Sequence, residues 1–133
     1  MADEDLLTVE LVAADRTVWT GEAAMVVART ADGEVGILPH HAPLLGTLAN
    51  GVVQIRQQGG ETVVAAVHGG FLSVADNRVG ILAELAELAD EIDLSRAQQA
   101  LERASKDSSE DEDARLDAVR RAEARVRAHE LAG

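Results

Sequence analysis

"RVGILAELAELADEIDLSRAQQALERA", residues 78–104, contains the change of rhythm that decides the fold. It opens with "RVGILAE", an apolar run of strand length, but from about Glu91 apolar residues return at helical spacing. Asp93 stands where it can cap a helix "LSRAQQALERA", with Leu94, Ala97, Leu101 and Ala104 on one stripe. Residues 1–90 and 91–133 therefore read as two units of different class, a β unit followed by a helical one, making the chain α+β.

Toward the N-terminus the pattern is one of short apolar segments punctuated by glycine. "LTVELVA" places Leu7, Val9 and Leu11 on one face, and "AAMVVART", "GVVQIRQ", "ETVVAAV" and "FLSVA" are further runs of strand length. Turn signals separate them at Trp19-Thr20-Gly21, Ala31-Asp32-Gly33, Gln58-Gly59-Gly60 and Asp76-Asn77. Many short strands at close spacing predict a β-sandwich or barrel rather than a βαβ fold. Gly69-Gly70 predicts a bulge or tight strand crossing, because no helix with Lys and Ser/Thr follows to complete a phosphate loop.

Toward the C-terminus, the acidic "SKDSSEDED" ends the first helix, and Ser109 with Glu112 forms an S-x-x-E capping box for a second. That helix repeats Leu116, Val119, Ala122 and Val126, predicting an antiparallel hairpin. Small side chains bury little area, at roughly 25 cal/mol per Å², so an alanine-rich hairpin is expected to hold weakly to whatever it packs on. A fixed C-terminal lid over the sandwich fits the same pattern. Residues 1–90 carry 4 basic and 13 acidic groups, residues 91–133 carry 8 and 11, so the cations concentrate in the hairpin.

Composition excludes several functions. A net charge of -12 and an aromatic content of only Trp19 and Phe71 oppose nucleic-acid binding, which needs cations and stacking faces. Without cysteine there is no disulfide framework or thiolate metal site. No apolar run approaches the roughly 20 residues that span a bilayer, so no direct membrane insertion is expected. The acidic start "MADEDLL" is unlike a signal peptide.

"GEVGILPHHAPLL", residues 33–45, is the most distinctive stretch. His40 and His41 are adjacent, so on an extended chain they point apart, and no H-x-x-x-H spacing accompanies them. Pro39 and Pro43 instead predict a rigid loop with Glu34 at an exposed turn and Ile37, Leu38, Leu44 and Leu45 anchoring it to the core. It reads as a docking surface with no catalytic or metal residues.

The succession "VELVAADRTVWTGEA", "GEVGILPHHAPLL" and "VHGGFLSVADNRVGILAELAELADEID" resembles the epsilon subunit of the bacterial F-type ATP synthase. The resemblance runs over nearly the whole chain. It implies an N-terminal ten-stranded β-sandwich, a C-terminal helical hairpin and a non-catalytic role on the central stalk, at the cytoplasmic face of the bacterial membrane. It implies coupling of rotation of the proton-driven c-ring to ATP synthesis. It further implies that Glu34 meets the c-ring, that His41 lies toward the gamma subunit, and that an extended hairpin reaches the alpha and beta subunits and restrains ATP hydrolysis. No cofactor is required. "IDLSRA" matches a motif by which some bacterial members bind ATP as a regulatory ligand, implicating Ile92, Asp93, Arg96 and Ala97, with Glu87 and Arg103 in register. Arg120, Arg121, Arg125 and Arg127 are all candidates for further contacts. Two other readings compete: a free-standing ATP-sensing regulator, and a histidine- or metal-dependent enzyme, which the lack of a convergent acid–base set opposes.

Overall fold

The computed structural model describes residues 6–106 and 111–132. Strands β1 (Leu7–Ala13), β2 (Arg16–Ala23), β3 (Met25–Thr30), β4 (Gly33–Ile37), β5 (Leu44–Thr47), β6 (Gly51–Arg56), β7 (Thr62–Ala75) and β8 (Arg78–Leu88) come first. A 3₁₀ turn, Ala89–Glu91, then leads to α1 (Leu94–Lys106) and α2 (Glu112–Ala132).

The alternation in β1 translates directly into burial, with Leu7, Val9 and Leu11 inside. They join Val26, Ala28, Ile37, Val53, Ile55, Leu72, Val74, Val79 and Ile81 in one aliphatic core. The two longest strands organise it. Thr62–Val67 of β7 pairs with β6, whereas Phe71–Val74 pairs with β5. Strand β8 runs antiparallel to β7 throughout, and its Arg78–Ala83 half also pairs in parallel with β1. The hydrogen-bonded order is β2-β1-β8-β7-β6-β3-β4, with β5 added to β7. Counted as continuous strands there are eight among the described residues, where ten were expected; β7 and β8, each divided at its midpoint, account for the difference.

That midpoint is Gly69-Gly70. Both have positive φ, 71° and 117°, and across them the core-facing parity changes. Ala65 and Val67 are core residues before the pair, Leu72 and Val74 after it, while β8 switches from Val79, Ile81 and Ala83 to Ala86. A pleated strand presents alternate residues to alternate faces, so inverting the pleat needs backbone that L side chains rarely adopt. At Gly70 space is also lacking: a Cβ there would stand 2.0 Å from the Leu82 carbonyl oxygen. The register with β8 is the same on both sides of the pair, His68 opposite Leu85 and Gly70 opposite Ala83, so of the two expectations the tight strand crossing holds and the bulge does not. The crossing joins two runs, "ETVVAAV" and "FLSVA", that the sequence pattern had separated.

Other expectations change. Trp19-Thr20-Gly21 is strand β2, not a turn, with Trp19 partly buried against the core. "GEVGILPHHAPLL" is strand–turn–strand: β4 and β5 flank a loop in which His40 adopts φ 68°. Ile37 is buried, but Leu38 and Leu45 are 56% and 77% exposed, so they do not anchor the loop. Short strands carrying glycine show too little alternation to be distinguished from loops.

Asp93 caps α1 as expected, its Oδ1 accepting the Arg96 amide at 3.0 Å. Helix α2 begins at Glu112 with Asp111 as its cap, Oδ1 accepting the Ala114 amide at 3.0 Å. Ser109, expected in a capping box, lies outside the described residues. The helices pack as a hairpin, and α2 lies on β6, β7 and the 3₁₀ turn.

The cost of closing the β7–β8 crossing can be measured. Gly70→Ala is expected to destabilise the sandwich by about 3 kcal/mol or more, combining backbone strain with a backbone collision. Gly59→Ala, with positive φ but open space around it, should cost only about 1 kcal/mol. Urea denaturation followed by Trp19 fluorescence compares the two.

Candidate functional site

The outer faces of the sandwich differ in what covers them. On the half built around β6 and the start of β7, the outward positions are Val52, Val64, Ala66 and His68. Val64 and Ala66 pack with Ala89, Ile92, Ala97, Ala124 and Ala128 in a second apolar cluster. Two positions of the predicted ATP motif are thereby assigned a packing role, since Ile92 and Ala97 are both buried in this cluster. Ala124 and Ala128, off the predicted stripe of Leu116, Val119, Ala122 and Val126, seat α2, while Val126 packs against the same cluster and Ala122 is also buried, because the helix is covered by α1 as well as by the sheet.

One polar contact reinforces this small apolar seat. Glu87 of β8, paired in register with Ala66 of β7, faces the hairpin. Its Oε1 accepts from Arg125 Nε of α2 at 2.6 Å and lies 3.2 Å from His68 Nε2. An ionised carboxylate can only accept, so Nε2 carries the proton. The His68 hydrogen bond, joined by the Arg125 hydrogen bond and charge, outweighs burial and lowers the Glu87 pKa from 4.5 to about 2. His68 is 4% exposed, and its Nδ1 is buried with no hydrogen-bond partner. Two lesser ties flank this clasp. Arg16 Nη2 at the start of β2 donates to Glu91 Oε1 at 2.9 Å, and Asn50 Nδ2 donates to Asp117 Oδ1 at 2.7 Å. Arg121 of α2 also pairs with Asp117.

The remaining candidate residues separate by environment. Arg96 and Arg103 are exposed on α1, and neither side chain has an ion-pair partner among the described residues. Asp93 is occupied as the helix cap. Arg120 and Arg127 line an open cleft of about 750 Å³ between α2 and the loops around Thr30 and Asn50, together with Arg29, Glu84 and Glu123. Glu34 is exposed where β4 leaves its turn, opposite Arg29 in register. The turn is fixed by Thr30, whose hydroxyl donates to the Gly33 carbonyl at 2.8 Å. His41 is half-buried, with Nδ1 at 2.6 Å from the Ala42 carbonyl.

The other outer face is bare. Phe71 is paired with Leu82, and Leu45 with Ser73, on the outward side of β5, β7 and β8. The three apolar side chains are 56%, 54% and 77% exposed for Phe71, Leu82 and Leu45. Sequence reasoning singled out neither this patch nor the pairing of His68 and Arg125 through Glu87. Phe71 alternating with Leu72 was the available signal for the first. For the second, only the abundance of arginine in α2 was visible.

The β-sandwich thus carries a clasped helical hairpin on one face and an exposed apolar patch on another. Comparison with known proteins makes this specific. Residues 6–89 match the family model for the ATP synthase delta/epsilon chain β-sandwich domain. The ATP synthase epsilon chain of Streptomyces avermitilis is 61% identical over 122 residues, covering 92% of this chain and 94% of that one. That of Rhodococcus opacus is 48% identical over 127 residues, covering 95% and 98%. A chain in the Euglena gracilis mitochondrial ATP synthase structure, comprising OSCP, F1 and c-ring, superposes with a TM-score of 0.77 at 29% identity, over 96% of this chain and 81% of that one. A chain of the Tetrahymena thermophila central stalk and c-ring shares the fold, with a TM-score of 0.56 at 17% identity over 95% of each. The chain belongs to the ATP synthase epsilon-chain family, and with it to the non-catalytic subunits of that enzyme.

The clasp has a defined pH window. Because His68 first and Arg125 second lower the Glu87 pKa in the folded chain, the stabilisation that its ionised form gives is complete above about 4.5 and is lost as pH falls toward 2. Glu87→Gln at neutral pH is expected to weaken docking of α2 by about 1–3 kcal/mol, leaving Arg125 half-buried without its anion. Faster amide exchange across residues 112–132, with the sandwich core unchanged, is the expected observation.

Proposed function

We propose that this protein is the central-stalk subunit of a bacterial F-type ATP synthase, coupling c-ring rotation to ATP synthesis, with a hairpin that leaves the sandwich to restrain hydrolysis. The observation that carries the reading is the division of the sandwich's outer surface. The bare apolar face of Leu45, Phe71 and Leu82 suits permanent docking on the gamma subunit, with the half-buried His41 in the neighbouring loop. The fixed turn bearing Glu34 suits the basic loops of the c-ring. The remaining face holds the hairpin by an alanine seat and a single-carboxylate clasp, an attachment weak enough to exchange. The hairpin's arginines, once released, would meet acidic surfaces of the alpha and beta subunits. No described helix is long and apolar enough to cross a membrane, so attachment at the cytoplasmic face of the cell membrane would be peripheral and through these partners.

A regulatory ATP site is favoured by a separate observation: Arg96 and Arg103 are exposed seven residues apart on α1, with no partner among the described residues. Guanidiniums so placed can grip phosphates. Asp93 would hold the helix start in place, and Glu87 would orient Arg125 rather than meet the nucleotide. Ile92 and Ala97 would set the packing beneath.

Phe71→Glu is expected to reduce gamma binding at least tenfold, because it buries a charge in an apolar interface. Truncation after Ile92 should leave that binding intact. Pull-down and titration against purified gamma decide; an unaffected Phe71→Glu variant would remove this face from the interface. In parallel, ATP titration followed by amide NMR should give saturable shifts in residues 87–103, lost in Arg96→Ala. Absence of shifts at millimolar ATP would leave Asp93 and Arg96 as cap and surface residue only.

A further inference from the structure

His68 is the one buried polar residue of the described chain, and its burial depends on α2. It follows Val64 and Ala66 on the outward parity of β7, so the helix seated on those residues shields it, and releasing the hairpin would expose it to water. The neutral ring uses Nε2 toward Glu87 and leaves Nδ1 as a buried acceptor with no donor. Adding a proton there makes a buried N–H with no acceptor, in a second cation beside Arg125, which already bonds the same Glu87 oxygen at 2.6 Å.

We propose that His68 is the proton sensor of the clasp, and that protonating it releases the hairpin. This deepens the reading that the hairpin exchanges between docked and released states, and rests on it. In the docked state a protonated His68 and Arg125 compete for one carboxylate. In the released state Glu87 is left to His68 alone, and Nδ1–H reaches water. The proton is therefore bound better when the hairpin is off, and by linkage acidification shifts the population toward release.

Other charges around the ring do not replace this competition. On β8, Glu84 lies in the adjoining cleft near Gly69, and on α2, Arg121, Glu123 and Arg127 line the same cleft, with Asp117 held by Asn50 and Arg121. Arg29 of β3 also faces that cleft. On the far side, Arg16 and Glu91 neutralise each other. From β6 the paired neighbour of Ala66 is the apolar Val52.

The chain contains no cysteine, so a dye pair can be placed without background. Glu61→Cys in the β6–β7 turn and Glu130→Cys in α2, labelled in the full-length chain, report docking by energy transfer between pH 8 and pH 5. Trp19 emission reports the sandwich independently. The ratio of released to docked chain should rise as the pH falls, by at most roughly tenfold per pH unit, as one linked proton dictates. His68→Gln should flatten the response, and a His40→Gln/His41→Gln/His129→Gln variant should retain it. A flat wild-type profile, tighter docking in acid, or an undiminished slope in His68→Gln would overturn the proposal. Glu87→Gln distinguishes the failures. If it releases the hairpin at pH 8 while the wild type stays flat, only the sensor is wrong; if it leaves the hairpin docked, the clasp itself is wrong and the sensor falls with it.

Discussion

The inverted pleat at Gly69-Gly70 is the constraint on which the rest depends. Because β7 changes its core-facing parity there, one strand serves two faces with different duties. Before the glycines its outward side chains are Val64, Ala66 and His68, small or polar, shaped to receive a helix. After them the outward residues are Phe71 and Ser73, in an exposed apolar patch. Had the pleat continued unbroken, Leu72 and Val74 would face outward and the core would lose two of its fully buried side chains. The pair of glycines is thus what lets one strand both mount a hairpin and present an exposed apolar patch.

The way the hairpin is mounted follows from side-chain size. Alanine at positions 66, 89, 97, 124 and 128 allows close approach of helix to sheet but removes little apolar area from water. A larger aliphatic set would have fixed the hairpin permanently. With a thin seat, the hold on the hairpin rests more on the few polar groups at its edge, and among the described residues Glu87 bonds both the sheet and the helix. Removing one partner from such a contact costs more than the contact is worth, because the remaining charge stays where water is scarce. A small chemical change at this point would therefore strongly affect how firmly the hairpin is held.

Strands β1, β6, β7 and β8, and the two helices, were legible because their side chains alternate between core and solvent or repeat at helical spacing. β2, β4 and β5 were not. Their burial is irregular, glycines interrupt them, and their partners supply the hydrogen bonds that make them strands. The helix caps show the same division: Asp93 was readable because one boundary fits it, whereas the acidic run before Glu112 offers several caps and the helix uses Asp111. For the candidate site, single residues were legible and their company was not. Glu87, Arg96 and Arg103 could be marked by motif position. That Glu87 meets Arg125, 38 residues away, is a product of the parity of β8 and the seating of Ala124 and Ala128.

The clasp also bears on how a nucleotide could act on this chain. Arg96 and Arg103 are exposed and Arg125 is not: its charge is already spent on Glu87. A phosphate that gripped only the α1 arginines would bind docked and released hairpins alike, and equal affinity shifts no equilibrium. To favour docking, a nucleotide must also engage something that exists only when α2 lies against the sheet, and the groups assembled by docking are Arg125, Glu87 and the cleft-lining cations of α2. Regulation by ATP would therefore require contact with both helices at once, and its effect on the hairpin would scale with the α2 contacts rather than with the affinity of the α1 pair.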